Sequence, residues 1–416
     1  MDVSAVSRQL GQARELPLDD PDRLLLEHAA LALVRDGQRR RRRRRERATA
    51  QADAEVLATT AMGSRGRVVD APVEATSSTG HLRRTRTCYI CKAGYTRLDG
   101  LYHLLCPACA SSNAVRRTAR TDLTGRRALI TGGRVKIGHH LTLKMLHDGA
   151  HVTITTRFPN DAARRFAAAG DWTGRLQIIG VDLRDPRQVI ALTDRLRESG
   201  DPLDILVNNA AQTIRRPASS YSALVEGERH EALPGVAVLP AAEGDAGLPD
   251  VSGLLPDLSP ANSWSARIGA VDPAELLEVQ LVNAVAPFLL IDRLLPLLMA
   301  SPAERRYIVN VSAVEGQFAV ANKTGRHPHT NMAKAALNMV TRTSAADLAR
   351  HGVHLCSVDT GWITDEQPVP VRDRLDRRTP LDVIDGASRV YDPIVSGEAG
   401  HPVHGVFLKD YQVAPW

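Results

Sequence analysis

The stretch Thr131-Gly132-Gly133-Arg134-Val135-Lys136-Ile137-Gly138 decides how this chain folds. It follows the apolar run Ala128-Leu129-Ile130 and opens onto an amphipathic segment from Ile137 to Asp148, so it reads as strand, glycine turn and helix. Glycines let the backbone approach a pyrophosphate, and the free N–H groups and dipole of a helix start favour negative charge there. A glycine turn alone is equally an ordinary tight turn, so its meaning rests on the rest of the chain.

Downstream, apolar runs at Ala128 to Thr131, His151 to Thr156, Leu176 to Asp182, Ile205 to Asn208, Tyr307 to Val311, Val353 to Val358 and Val406 to Leu408 alternate with segments of helical spacing. Strands alternating with helices imply a doubly wound α/β class with a parallel sheet covered on both faces. The glycine turn then lies at the carboxyl end of the first strand, where such sheets bind ligands.

Upstream, Cys88-Tyr89-Ile90-Cys91 and Cys106-Pro107-Ala108-Cys109 form two CxxC pairs 14 residues apart and hold four of the five cysteines. Each CxxC turn brings two soft thiolates onto one metal, so Cys88, Cys91, Cys106 and Cys109 read as a closed, structural zinc site. His103 is a further ligand candidate that four cysteines make superfluous. Cys356 lies in an apolar run and reads as a packing residue.

The net charge of +6 is smaller than the seven charges of the unbroken run Arg39 to Arg45. The rest of the chain is therefore near neutral, which argues against a broadly basic protein. Such a block repels itself and reads first as a solvated, disordered stretch, with contact to nucleic acid or another polyanion second. Leu24 to Val34 fits a short amphipathic helix, and Arg47 to about Gly80 reads as a flexible linker. The domains expected are 1–82 (helix, arginine run and linker), 83–119 (a small zinc-binding module) and 120–416 (the α/β body). No uninterrupted apolar run approaches the roughly 20 residues of a membrane span, and the N-terminus is too polar for a signal peptide, so a cytoplasmic location is expected.

Thr131 to Gly138, Asp182-Leu183, Asn208-Asn209-Ala210-Ala211, Asn283, Val311-Ser312 and Lys334 together resemble the ordered landmarks of the short-chain dehydrogenase/reductase family, over about Leu123 to Trp416. The resemblance implies a Rossmann fold, a nicotinamide dinucleotide and hydride transfer to or from a carbonyl or alcohol of a small molecule. It assigns the cofactor to Thr131, Gly132, Gly133, Arg134, Lys136, Ile137 and Gly138 of the turn. Asp182 and Leu183 would stand at the adenine, Asn208 and Ala210 under the ribose. In the Thr-Gly turn after the sixth strand, Gly361 precedes Ile363 at the carboxamide end and Thr364 at the phosphates. Arg157 follows the second strand, where a cation pairs with the 2′-phosphate, so NADP(H) is expected over NADH. The family's helices around Asn283 and Lys334 form subunit contacts, which implies a homo-oligomer.

The departures concern the catalytic positions. Lys136 stands where the family has glycine. Ser312 aligns with the non-catalytic serine of its pattern and Ala313 with the catalytic one, while Tyr-x-x-x-Lys becomes Thr330-Asn331-Met332-Ala333-Lys334. Asn283 and Lys334 are retained, but a threonine hydroxyl is a far poorer acid than a phenol. His329 or His327, or a tyrosine such as Tyr221, Tyr391 or Tyr411, would have to supply the proton. The plainer reading of both histidines is an exposed loop beside Pro328. An insertion at about 212–270 reads as a lid or substrate loop in which Arg215 and Arg216 could receive an anion. Two alternatives follow: a non-redox lyase or isomerase on this fold, or a dinucleotide-sensing binding protein that uses the zinc module and arginine run.

Overall fold

The apolar runs become strands of one sheet because helices cover both of its faces. The computed structural model describes residues 2–77, 80–229, 236–237, 251–255, 257–260, 262–320, 323–375 and 378–416. Part of the insertion read at 212–270 thus lies outside the described residues.

The N-terminal third departs from the sequence expectation. After α1 (Val3–Ala13), a single helix α2 (Pro21–Ala58) begins on the Asp20 cap and runs straight through the arginine block. Arginine is a good helix former, and Asp36 pairs with Arg39 and Arg40 while Glu46 pairs with Arg42 at helical spacing. The expected linker is also structured in its described part. The N–H groups of Ala61 and Met62 donate to Gly100 and Leu101, and Met62 is fully buried. Arg67 donates to the carbonyls of Thr379 and Leu381 in the body. The few apolar residues of this segment complete a small core that the cysteine-rich stretch cannot fill alone.

That stretch forms the hairpin β1 (His81–Thr87) and β2 (Gly94–Arg97), followed by α3 (Pro107–Thr118). The body adds β3 (Arg127–Thr131), α4 (Lys136–His147), β4 (His151–Thr156), α5 (Pro159–Ala169), β5 (Leu176–Gly180), α6 (Pro186–Ser199), β6 (Ile205–Asn208), α7 (Ser222–Glu228) and the short β7 (Val236–Ala237). It continues with α8 (Pro273–Gln280), α9 (Ala286–Ala300), β8 (Arg306–Ser312), α10 (Pro328–Ala349), β9 (Val353–Asp359), α11 (Val369–Leu375), α12 (Val383–Glu398) and the hairpin β10 (Phe407–Lys409) and β11 (Gln412–Ala414).

The sheet order is β11-β10-β9-β8-β6-β3-β4-β5-β7, parallel except for the last hairpin. The order reverses between β3 and β6, which is the switch point where doubly wound sheets open a crevice at their carboxyl ends. One face packs Leu141, Met145 and Phe166 with Val390 and Ile394 against the strands. The other packs Val189, Leu192, Leu290, Leu294 and Leu348.

Helices α8 and α9 are joined by a π turn at Leu281–Val285, making one segment, Pro273–Ala300, that is long and apolar enough to cross a membrane. Asp292 and Arg293 interrupt it, so no single apolar run stood out in the sequence. In this fold it covers the sheet, with half of its most apolar window buried.

Candidate active site

A cleft of about 540 Å³ crosses the carboxyl ends of the strands. Its near edge is the glycine turn. Gly132 adopts φ +68°, and a Cβ on Gly138 would lie 2.1 Å from the Gly132 carbonyl oxygen, so that position admits only glycine. This tightness leaves the start of α4 open to a ligand. Lys136 adopts φ +52°, so the lysine takes the left-handed conformation that the family's glycine adopts freely. Its ammonium is 2.8 Å from Asp70 and 3.7 Å from Glu366. Arg134 is buried, paired with Asp161 at 2.6 Å and donating to the Ser252 carbonyl. Both cations line the cleft as well, each with a carboxylate beside its charge.

Arg157 is different. It lines the cleft at the end of β4 with its guanidinium 4.6 Å from the Tyr221 ring and 5.4 Å from Phe158. No ion pair to an acidic group is found for it among the described residues. Asp182 and Leu183 line the same end, with Asp182 bound to Arg184 at 2.6 Å. Burial opposes the Asp182 charge, and the Arg184 hydrogen bonds outweigh it, so its carboxyl is held below the usual range.

Some expected contacts belong to the scaffold. Asn208 is buried, donating to Asn310 at 2.8 Å across the register pair of β6 and β8, and it does not line the cleft. Its neighbour Asn209 does, because successive strand residues face opposite ways. The Asn209 amide donates to the carbonyls of Thr131 and Gly132 and so fixes the turn. Thr131 is buried behind it, accepting the N–H groups of Asn209 and Ala210 at 3.0 Å each. Gly133 packs on Ile154 and likewise stays out of the lining. Gly132, Ile137, Gly138, Ala210, Gly361, Ile363 and Thr364 line the cleft as expected.

At the far end, Ser312, Asp359 and Lys409 are register partners at the ends of β8, β9 and β10. Ser312 donates to Asn338 at 2.6 Å. Asp359 accepts the N–H groups of Val314 and Gly361, and burial raises its carboxyl pKa. Lys334 projects from α10 into this end and donates to the Val311 carbonyl at 2.8 Å. Burial drives its ammonium down to about 8, with Glu315 opposing.

Of the other catalytic candidates Tyr221 lines the cleft, at the Arg157 end, and the rest do not. Asn283 sits in the π turn, with its side chain clamped to the backbone N–H and carbonyl of Gln212 at 2.7 and 2.8 Å. Thr330 and His329 are buried, with the Thr330 hydroxyl and both His329 ring nitrogens lacking hydrogen-bond partners among the described residues. His327 is buried too, stacked on Trp264 at 4.2 Å. The plain reading of exposed loop histidines is therefore corrected. Arg216 lines the cleft, whereas Arg215 pairs with Asp272 and Glu278 outside it. Tyr391 is tied to Asp148, and Tyr411 lies under Arg389, both away from the cleft.

Tyr89 was not foreseen. It sits between two candidate metal ligands, yet it lines the cleft and accepts the Trp362 N–H at 2.9 Å. No local pattern announces this, since the contact joins positions 273 residues apart. The sulfurs of Cys88, Cys91, Cys106 and Cys109 lie within 4.8 Å of one another, with Cys91 and Cys106 3.6 Å apart. Tetrahedral zinc with bonds of ~2.3 Å needs sulfurs about 3.8 Å apart, so the donor set suits that ion. Cys356 is buried, as expected of a packing residue, and burial pushes its thiol up to about 12.

Fold and cleft define a protein of the Rossmann class, a doubly wound sheet with a crevice at its switch point. Residues 126–225 match the family model described as short chain dehydrogenase, and residues 250–381 match that described as enoyl-(acyl carrier protein) reductase. The uncharacterized protein R665 of Acanthamoeba polyphaga mimivirus is 30% identical over 360 residues, covering 79% of this chain and 76% of that protein. A rhamnolipids biosynthesis 3-oxoacyl-(acyl-carrier-protein) reductase of Pseudomonas aeruginosa is 27% identical over 245 residues, covering 58% of this chain and 73% of that one. The NADPH-bound carbonyl reductase from chicken fatty liver superposes with a TM-score of 0.51 at 20% identity, over 73% of this chain and 98% of that one, a likeness of fold. The chain belongs to the short-chain dehydrogenase/reductase family.

Proposed function

We propose that the protein is an NADP(H)-dependent oxidoreductase acting on a carbonyl or alcohol of a small molecule, with a structural zinc ion in its four-cysteine module. The observation that carries this reading is one cleft with a glycine cradle, Arg157 at one end with no acidic ion-pair partner among the described residues, and the buried Lys334 at the other. From β4 to β9 the cleft crosses four strand spacings, about 19 Å, which suits an elongated ligand. Arg157 would take the 2′-phosphate, and the open start of α4 the pyrophosphate. Ile363 would stand at the carboxamide end of the nicotinamide half and Thr364 at the phosphates.

When bound, the dinucleotide supplies or accepts the hydride. The proton is this chain's problem, since Ala313 and Thr330 replace the usual serine and tyrosine. Lys334 lines the cleft and titrates near 8, so it can give a proton to the developing alkoxide during reduction and recover one from solvent. Ser312 holds the Asn338 side chain and Asn283 the Gln212 backbone, and Thr330 and His329 are buried outside the cleft lining. The long apolar helices leave Leu277, Phe288, Met332 and Met339 exposed, which supports a homo-oligomer formed through α8, α9 and α10, as light scattering would show.

The deciding experiment is titration of the purified chain with NADPH and NADH by fluorescence. NADPH should bind at least tenfold tighter, and Arg157→Ala should erase the difference. Absence of NADPH binding would end this reading. The second reading, a non-redox lyase or isomerase, draws on the sealed Thr330 and the missing serine. Stoichiometric NADPH consumption with any carbonyl substrate would exclude it.

A further inference from the structure

The four-cysteine module touches the cleft on both lips. Tyr89 holds the Trp362 N–H, and Ile363 is buried in the module's own core beside Leu98, Leu101, Tyr102 and Leu105. Ile137, from the glycine turn, packs against the same cluster. Gly361, at φ +76°, lies so close to Leu381 of that cluster that a Cβ would stand 2.6 Å from the leucine methyl. The loop 361–364 is therefore held by the module through one hydrogen bond and one apolar anchor, beside the Gly361 N–H bond to Asp359 of the body.

We propose that bound metal controls the protein's grip on the nicotinamide half of its cofactor, and that Tyr89 is the positioning residue through which it does so. This rests on the dinucleotide reading above. Tyr89 is placed by its neighbours on the metal-binding turn: its N–H donates to Leu104 at 2.8 Å, the Cys88 N–H donates to Ala93, and the Cys106 N–H donates to the Cys88 sulfur. Four thiolates this close are held together by the ion, because in a small module the binding free energy of the metal is folding free energy. Without it the turn loosens, the Tyr89 hydroxyl leaves Trp362, and Ile363 loses its seat. The adenosine end, built from β4, β5, Arg157 and Tyr221, has no such dependence, since no residue of the cysteine hairpin or of α3 lines it.

The test compares two probes, NADPH and adenosine 2′,5′-bisphosphate, on the full chain by calorimetry. Tyr89→Phe keeps the metal, verified by zinc content, and removes only the acceptor for Trp362. It should weaken NADPH about 2- to 10-fold, the value of one hydrogen bond, and leave the bisphosphate within twofold. Removing zinc with a chelator should weaken NADPH more than tenfold with the same indifference of the bisphosphate, and added zinc should restore it. Equal weakening of both probes, or no weakening of NADPH in either treatment, overturns the proposal. Failure of the untreated protein to bind either probe would instead overturn the NADP(H) reading.

Discussion

Arg117 grips both carboxylate oxygens of Asp382, at 2.5 and 2.7 Å, and reaches Asp385 at 3.1 Å. The arginine ends the module's helix α3, and the two aspartates form the capping box of α12, so a single side chain joins the module to the first turn of a body helix. Tyr102 adds its hydroxyl to Asp385 at 2.6 Å. Both carboxylates are fully buried, and Arg117 is nearly so. Burial works against the Asp382 charge and the arginine outweighs it, holding that carboxyl below the usual range, while burial beside Asp382 raises Asp385.

Replacing Arg117 with Met would strand that charge. Breaking a buried pair by removing one partner costs about 3–5 kcal/mol, so Arg117→Met should lower the urea midpoint by that equivalent. Arg117→Lys, a point charge without the fork, should recover only part. Because Asp382 is depressed, its share of stability is present at neutral pH and lost as pH falls below the ordinary carboxylate range. The difference between wild type and Arg117→Met should therefore shrink in acid. An unchanged midpoint at pH 7 would remove the arginine from its structural role.

Lys136 gives a second prediction, drawn from backbone rather than charge. At φ +52° a β-branched residue is strained, whereas glycine is at ease. Lys136→Val should destabilise by about 1–3 kcal/mol. Lys136→Gly should stay within about 1 kcal/mol of wild type, since relief of strain offsets loss of the partly exposed Asp70 pair. Thermal unfolding of the two variants checks this, and equal destabilisation by both would show that the ion pair, not the backbone, governs the position.

These two sites mark what was legible in the sequence and what was not. The glycine turn, the strand sequence and the cysteine pairs are local patterns, and local patterns survive folding because alternation, helical period and ligand spacing depend on neighbours in the chain. Lys136 was recognised as standing at a glycine position for that reason. Its partner Asp70 was not, nor was the Arg117–Asp382 clasp, because both join distant segments whose docking no periodicity encodes. Asn208 shows a finer failure: the motif was found, but the last strand residue faces inward and its neighbour holds the turn. His327 and His329 look like loop residues beside a proline, yet the helix that follows draws both under cover. Tyr89 is the extreme case, since its role exists only once the module sits on the cleft.

Gly138 should tolerate no side chain. A Cβ there meets the Gly132 carbonyl at 2.1 Å and the Asn209 amide at 2.7 Å, both parts of the cradle itself. Gly138→Ala should therefore push the turn out of shape, costing about 1–3 kcal/mol of stability and at least tenfold in NADPH affinity. Gly125→Ala is the control: it strains a positive φ of 76° but meets open space, so it should cost stability without affecting binding. Equal binding losses in the two would show that general destabilisation, not the cradle, is responsible.

Lys334 is buried at a cost to its charged form. In the unfolded chain its ammonium keeps a proton to about 10.5, in the folded protein only to about 8. Between those values the unfolded state binds more protons, so stability rises with pH there, and below pH 8 the penalty is present in full. At roughly 1.4 kcal/mol per unit the burden is about 3 kcal/mol. Lys334→Met should remove it and lose only the bond to Val311, worth about 1 kcal/mol. The variant should then be about 1–2 kcal/mol more stable than wild type in urea at pH 7, with the advantage disappearing near pH 10. Its NADPH affinity should fall and carbonyl reduction should cease, while in the wild type kcat/KM for reduction should decline as pH rises past about 8. A variant less stable at pH 7 would show that burial does not penalise the ammonium, and a reduction rate flat from pH 6 to 10 would show that Lys334 does not carry the proton.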